Sequence, residues 1–119
     1  MPEVKICELV GQTMSHVERD GWGLTFITVS GQRYRMYHDR DCCEQVSIED
    51  ICGELSDLVG TPILMAEERT NRNLPPKSAD DWSWTWTFYT LATIKGYVTI
   101  RWYGESNGWY SEGVSIFRE

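Results

Sequence analysis

The residues best suited to chemistry lie in one short stretch, residues 38–44. It holds one imidazole, two adjacent thiols and three carboxylates: His38, Asp39, Asp41, Cys42, Cys43 and Glu44. A thiolate is a strong nucleophile and histidine is its usual base, so these side chains could form a thiol-dependent hydrolase. Imidazole nitrogen and thiolate sulfur are also ligands that zinc prefers. The stretch therefore supports two hypotheses, Cys–His catalysis and a zinc site.

The spacing of the cysteines argues against a simple metal centre. Adjacent residues of a strand point to opposite faces, so Cys42 and Cys43 could bind one ion only within a tight turn. Cys52 or Cys7 would have to be brought in by the fold. The sequence contains no C-x-x-C, H-E-x-x-H or D-x-D-x-D-G motif. We favour cysteines that serve as small buried side chains and expect no cofactor, with zinc on His38, Cys42, Cys43 and Cys52 as the alternative.

A second candidate is the aromatic turn that follows residue 100. Asn107-Gly108 is typical of a tight turn, which alone could explain the stretch. Tyrosine, tryptophan and arginine, however, are the residues that most often anchor binding interfaces. We predict a binding surface on the following residues: Arg101, Trp102, Tyr103, Glu105, Asn107, Trp109 and Tyr110.

A row of tryptophans forms the third candidate. Trp82, Trp84 and Trp86 share one face of a predicted strand. The alternating positions carry hydroxyl groups: Ser83, Thr85 and Thr87. Such a row can stack on a ligand, and with Arg101 it could form a pocket for a small nucleotide. Because each ring must hide a large apolar area, we predict instead that the row faces the core.

Strand patterns dominate the elements that position these residues. Strands are predicted at 14–19, 24–30, 33–38, 63–70, 82–93, 97–103 and 109–117. Asp20-Gly21-Trp22-Gly23 is a strong hairpin signal. Residues 71–81, with the sequence N-R-N-L-P-P-K-S-A-D-D, are predicted to form a flexible polar loop.

One α-helix is predicted between Ser47 and Gly60. Ser47 suits the N-cap, and Ile51, Leu55 and Leu58 follow helical spacing. The helix would carry four acids, Glu49, Asp50, Glu54 and Asp57, of which Glu49, Asp50 and Asp57 could line a solvent-exposed face. The fold class is therefore α+β, a mostly antiparallel sheet of hairpins packed with one or two short helices. Residues 1–119 should form a single domain.

Charge and composition narrow the partners. The net charge of −7 argues against direct nucleic-acid binding, which requires clustered basic residues, and favours a protein partner with a basic surface. The apolar runs are too short to cross a membrane, and the first residues lack a signal-peptide pattern. We expect a cytoplasmic protein with four reduced cysteines. An exposed edge strand could support an oligomer.

Three stretches together carry a resemblance to a known family. They are H-D-R-D-C-C-E at 38–44 followed by I-E-D-I at 48–51, G-T-P-I at 60–63, and W-T-F-Y at 86–89 with I-R-W-Y-G and S-N-G between 100 and 108. The pattern resembles an uncharacterised family of small bacteriophage and prophage proteins. The resemblance implies a phage or prophage origin and supplies no mechanism. Our leading hypothesis is a phage accessory protein, not an enzyme, that binds a host or phage macromolecule and inhibits a host defence system.

Overall fold

A computed structural model describes residues 2–119, which form two sheets with antiparallel strand pairing throughout. The strands are β1 (Glu3–Val4), β2 (Met14–Arg19), β3 (Gly23–Thr28), β4 (Arg33–Tyr37), β5 (Gln45–Cys52), β6 (Met65–Asn71), β7 (Ser83–Thr93), β8 (Gly96–Ser106) and β9 (Ser115–Arg118). The first sheet has the order β1-β9-β4-β3-β2, and the second has the order β5-β8-β7-β6. Two short 3₁₀ helices span Ile6–Leu9 and Leu55–Leu58. None of the helices within residues 2–119 is long and apolar enough to cross a membrane.

The two sheets share one hydrophobic core. The first sheet contributes the fully buried side chains of Leu24, Phe26 and Met36, and the second contributes those of Leu91, Ile100 and Trp102. Large rings and branched chains carry most of the apolar area that drives folding. The core thus fixes how the inner faces of the sheets meet.

The predicted helix is wrong, because its segment forms strand β5 and then a 3₁₀ turn. On β5, Ile48 pairs with Trp102 and Ile51 pairs with Ile100, with a bulge between Ile48 and Asp50. The extra residue of the bulge lets two residues three positions apart both face the core, which imitates helical spacing. Within residues 2–119 the structure contains no α-helix. The sheet-rich, antiparallel part of the predicted fold class is confirmed.

The prediction that the tryptophan row faces the core is also wrong. Thr85 and Thr87 are buried, whereas Trp84 and Trp86 lie on the outer face and Trp82 is 86% exposed. Alternation shows which residues share a face but not which face is buried. Thr85 is compatible with the interior because its hydroxyl donates to a buried carboxylate, described below, whereas the hydroxyl of Thr87 has no hydrogen-bond partner among the described residues.

Four connections meet at one end of the two sheets. The strand register brings their flanking residues together in these pairs: Gly23–Tyr37, Tyr37–Ser115, Gln45–Glu105 and Ser83–Ser106. The connections are residues 20–22, 38–44, 72–82 and 107–114, and we call them the loop end. All candidate residues from the 38–44 stretch lie here, and so does the turn after β8.

Gly104 on β8 generates a prediction about this packing. A Cβ added there would lie 2.6 Å from the carbonyl oxygen of Glu112, because residues 107–114 cross closely over β8. We expect Gly104→Ala to lower the free energy of unfolding by about 1–3 kcal/mol in urea denaturation, through overpacking. Gly21→Ala is the control, since a Cβ there meets nothing within 4 Å. Equal stability of the two variants would contradict this packing.

Candidate functional site

A fully buried carboxylate organises the loop between β4 and β5. The side chain of Glu44 accepts hydrogen bonds from the backbone N–H of Asp41 at 3.0 Å and of Cys42 at 2.9 Å. These bonds, the Asp41 bond foremost, outweigh the effect of burial and lower the pKa of Glu44 to about 2. Glu44 is therefore an ionised anchor inside the loop that surrounds it.

His38 extends this anchor to a second loop. Its Nε2 lies 3.0 Å from Oε2 of Glu44, and its Nδ1 lies 2.6 Å from the carbonyl oxygen of Gly113. Each ring nitrogen therefore faces an oxygen acceptor, one from a carboxylate and one from the backbone. The imidazole thus ties residues 38–44 to residues 107–114, and both ring nitrogens are already occupied by partners other than a thiol.

The cysteines do not form the predicted sites. Cys42 and Cys43 are joined by a disulfide, so the expectation of reduced thiols is wrong for this pair. Cys7 and Cys52 are free, and both are exposed instead of buried. Cys52 lies at the far end of β5 from the disulfide, about 20 Å along the strand. The predicted ligands His38, Cys42, Cys43 and Cys52 are therefore not brought together, and in residues 2–119 no group of three or more His, Cys, Asp or Glu side chains is placed to hold a metal.

A second buried carboxylate, Glu112, was not found by sequence reasoning. Its side chain accepts hydrogen bonds from Thr85 Oγ1 at 2.7 Å and from Ser106 Oγ at 2.6 Å. These contacts hold residues 107–114 against β7 and β8. Its partners are 27 and 6 residues away in sequence, so no local motif announces the site.

Three tryptophans at the loop end have their rings in solvent. Trp22, Trp82 and Trp109 are 77%, 86% and 87% exposed. Each belongs to a different connection, so the fold, and not local sequence, brings them to the same end. Each of these rings offers a large apolar area that a partner could cover.

The turns that carry two of these rings are held by side-chain hydrogen bonds. The carboxylate of Asp20 accepts from the backbone N–H of Trp22 at 2.7 Å and pairs with Arg35 at 2.8 Å. The amide oxygen of Asn107 accepts from the backbone N–H of Trp109 at 3.0 Å. Arg35, as the main cause, lowers the pKa of Asp20. The backbones are thus fixed while the rings project into solvent.

A shallow depression is lined by one of the exposed rings, that of Trp82. Its volume is about 400 Å³, and it is lined by Cys43, Asp80, Trp82, Glu105, Ser106 and Asn107. The disulfide, the connection before β7 and the turn after β8 therefore border one concave surface. Such a surface can accept a side chain of a partner.

The residues of the predicted aromatic surface separate into three environments. Asn107 and Trp109 lie at the loop end with Tyr110 half-buried beside them, and Glu105 lies on the adjacent end of β8. Trp102 is a core residue and is only 1% exposed, so it is not part of the surface on which it was predicted. Tyr103 lies beneath residues 72–81, as described below, and Arg101 forms a two-point ion pair with Asp50 on the outer face.

The ion pair of Arg101 bears on the nucleotide hypothesis. Two guanidinium nitrogens donate to the two carboxylate oxygens of Asp50, and the guanidinium carbon lies 5.6 Å from the centre of the Trp86 ring. The same contact lowers the pKa of Asp50 and raises that of Arg101. A phosphate would have to compete with Asp50 for these donors.

Two of the exposed rings at the loop end, those of Trp22 and Trp82, were not predicted from the sequence to lie on a binding surface. Trp22 was assigned only to a turn, and Trp82 to the core-facing row. A large ring inside the Asp-Gly-Trp-Gly turn was the available signal, because a turn tip has no core to bury it. For Trp82 the signal was absent, since alternation cannot distinguish the two faces.

The four connections are acidic. They carry seven carboxylates, Asp20, Asp39, Asp41, Glu44, Asp80, Asp81 and Glu112, against three basic side chains, Arg40, Arg72 and Lys77. Glu44 and Glu112 are buried, so five of these carboxylates reach solvent against the three basic side chains. The predicted acidic helix face does not exist, and Asp50 of that set is paired with Arg101.

Comparison with known proteins identifies a family. A family model described as Domain of unknown function (DUF7448) matches residues 7–116, and the chain therefore belongs to this family. No curated protein and no solved structure matches the chain. The match agrees with the resemblance to an uncharacterised family over most of the sequence.

The lowered pKa of Glu44 predicts a specific acid sensitivity. Its pKa falls from 4.5 to about 2 on folding, so its stabilisation is present above pH 4.5 and is lost as the pH falls towards 2. We expect Glu44→Gln to weaken the loss of stability across this window, measured by urea denaturation at a series of pH values. The pKa values of Asp20 and Asp50 are also lowered, so the free energy of unfolding still falls with pH in every variant. Exposed Glu54→Gln is the control, and a Glu44→Gln slope equal to it would contradict the anchor.

Proposed function

We propose that this chain, as a member of the DUF7448 family, is a non-enzymatic binding protein whose loop end docks on a protein with a basic surface. The observation that carries the proposal is the presence of three solvent-exposed tryptophans on three separate connections. Two of the three sit on turns fixed by Asp20 and Asn107.

The tryptophans supply the apolar contact area of the proposed surface. Burying an indole ring against a partner removes a large apolar area from water, and tryptophan is among the most frequent hot-spot residues. A surface held rigid before binding loses less conformational entropy when it docks. Asp20 and Asn107 hold the turns of Trp22 and Trp109, and Glu44 and Glu112 fix the neighbouring residues 38–44 and 107–114.

The charge supports the choice of a basic partner. Five carboxylates of the connections reach solvent against three basic side chains, and this negative surface speeds encounter with a positive surface and disfavours an acidic one. Direct nucleic-acid binding would require the opposite sign. The surface instead presents carboxylates and aromatic rings, which suit a groove that itself binds phosphate groups.

The arrangement of the thiols and His38 favours binding over catalysis. Cys42 and Cys43 are bonded to each other, and neither nitrogen of His38 contacts a thiol. Activation of a thiol nucleophile requires a base within hydrogen-bond reach. The Cys–His hydrolase hypothesis would need this loop to rearrange.

We further propose that the binding protein is a phage or prophage accessory factor that acts on a protein of the host. The resemblance of the 38–44, 60–63 and 86–108 stretches to small phage proteins supports this origin. An acidic surface that occupies a phosphate-binding groove would inhibit a host defence protein without any catalytic group.

The test is a pull-down from bacterial lysate with matched baits. The double variant Trp82→Ala/Trp109→Ala should lose the partner, and for the purified partner the affinity should fall at least about tenfold. Ile94→Ala is the control, because Ile94 is 76% exposed at the opposite end of β7. Binding should also weaken as salt rises.

Two outcomes would reject the proposed surface. One is a partner retained in full by the double variant while Ile94→Ala loses it. The other is a partner whose affinity for the chain does not respond to salt or to either tryptophan.

A further inference from the structure

Residues 72–81, which we call the strap, cross the outer face of the second sheet. The indole N–H of Trp84 donates to the carbonyl oxygen of Leu74 at 2.7 Å, and the indole N–H of Trp86 donates to the carbonyl oxygen of Pro75 at 3.0 Å. Two successive carbonyls of the strap are thus held by two tryptophans that alternate on one strand.

The second half of the strap is held by a tyrosine and an acid. The backbone N–H of Lys77 donates to the hydroxyl of Tyr103 at 3.1 Å, and that hydroxyl donates to Asp81. The ammonium of Lys77 pairs with Glu49 and lies 5.6 Å from the centre of the Tyr103 ring. Tyr103 is only 7% exposed as a result.

The aromatic rings beneath the strap form one cluster. The ring centres of Trp86 and Tyr103 are 4.7 Å apart with an edge-to-face angle of 64°. Burial foremost, together with Asp81, raises the pKa of Tyr103 to about 12, so its hydroxyl remains a donor at neutral pH. The outer face therefore offers a donor array and flat rings side by side.

The occupant of this face is a diproline segment. A residue that precedes proline is restricted to extended backbone, so Leu74 and Pro75 both favour the polyproline II conformation. That conformation makes no internal hydrogen bonds and leaves its carbonyls free to accept from outside. Aromatic-lined grooves recognise proline-rich segments through this preformed backbone.

We propose that the face formed by Trp84, Trp86 and Tyr103 is a recognition groove for extended proline-rich segments, which the chain's own strap occupies. The preferred segment has an apolar residue, two prolines and a basic residue, as in Leu74-Pro75-Pro76-Lys77. Glu49 and the ring of Tyr103 select the basic residue. A partner segment of this type replaces the strap.

The strap is suited to exchange. Of residues 72–80 only Pro76 is partly buried, and the others are exposed. A tethered segment competes at an effective concentration in the millimolar range, so a free peptide binds the intact chain weakly. Loosening the strap removes that competition. Trp84, Trp86 and Tyr103 lie on β7 and β8, outside the loop end, so variants at these residues can be compared with variants at Trp22 and Trp109, whereas Trp82 directly follows the strap.

The experiment uses a synthetic peptide of residues 72–81, R-N-L-P-P-K-S-A-D-D, and a control peptide with both prolines replaced by alanine. Binding is followed by the ¹⁵N–¹H resonances of the indole groups of Trp84 and Trp86. The full-length variant Pro75→Ala/Pro76→Ala should bind the proline peptide at least about tenfold more tightly than the wild-type chain does. The alanine peptide should bind that variant at least about tenfold more weakly.

A second variant covers the case in which the first does not fold. Lys77→Glu opposes Glu49 with a like charge and loosens the strap without changing either proline. It too should gain affinity for the proline peptide, and adding Trp86→Phe, which keeps a ring but removes the donor, should reverse the gain. Equal binding of both peptides, equal binding by wild-type and loosened chains, or indole resonances that do not shift would each overturn the proposal.

Discussion

The structure depends on a carboxylate, that of Glu44, buried where the two sheets are joined. A buried charge is costly unless hydrogen bonds replace water, and the backbone N–H groups of Asp41 and Cys42 do so, together with His38. Because His38 also contacts Gly113, the same interaction fixes two connections of the loop end. The cost of burying the charge explains why this loop has a defined shape. A loop conformation that turns these backbone N–H groups away from Glu44 would leave its buried carboxylate without hydrogen-bond donors.

The second buried acid, Glu112, completes this arrangement from the other side. Its partners, Thr85 and Ser106, are inward-facing residues of β7 and β8, so the hydroxyl-bearing face of β7 is polar where it supports a loop and apolar further along the strand. Because Thr85 and Thr87 face inward, the tryptophans that alternate with them on β7 face outward. One consequence is an exposed ring at Trp82, and the other is the aromatic face beneath the strap. Both proposed binding surfaces therefore follow from the placement of the buried acids and threonines.

The sequence predicted what depends on local chemistry. Alternation located β7 and β8, the Asp20–Gly23 turn located the first hairpin, and strand patterns gave an antiparallel, sheet-rich fold. Prediction from the sequence failed where a residue that is distant in the chain determines the local structure. The bulge before Asp50 imitated a helix because it placed Ile48 and Ile51 on one face. The face of the tryptophan row depended on Glu112, a residue 27 positions beyond Thr85. Trp109 was identified as a surface residue from its turn, whereas Trp22 reached the same end only through the pairing of strands.

The central claim is that the loop end is a preorganised binding surface, and site-specific photocross-linking in bacterial cells tests it most directly. A photoreactive phenylalanine derivative is placed at position 109 or, as the matched exposed control, at position 94. The account predicts one discrete cross-linked protein from position 109, with a basic surface, and none from position 94. The same pattern of adducts from both positions, or a discrete adduct from position 94 alone, would contradict it.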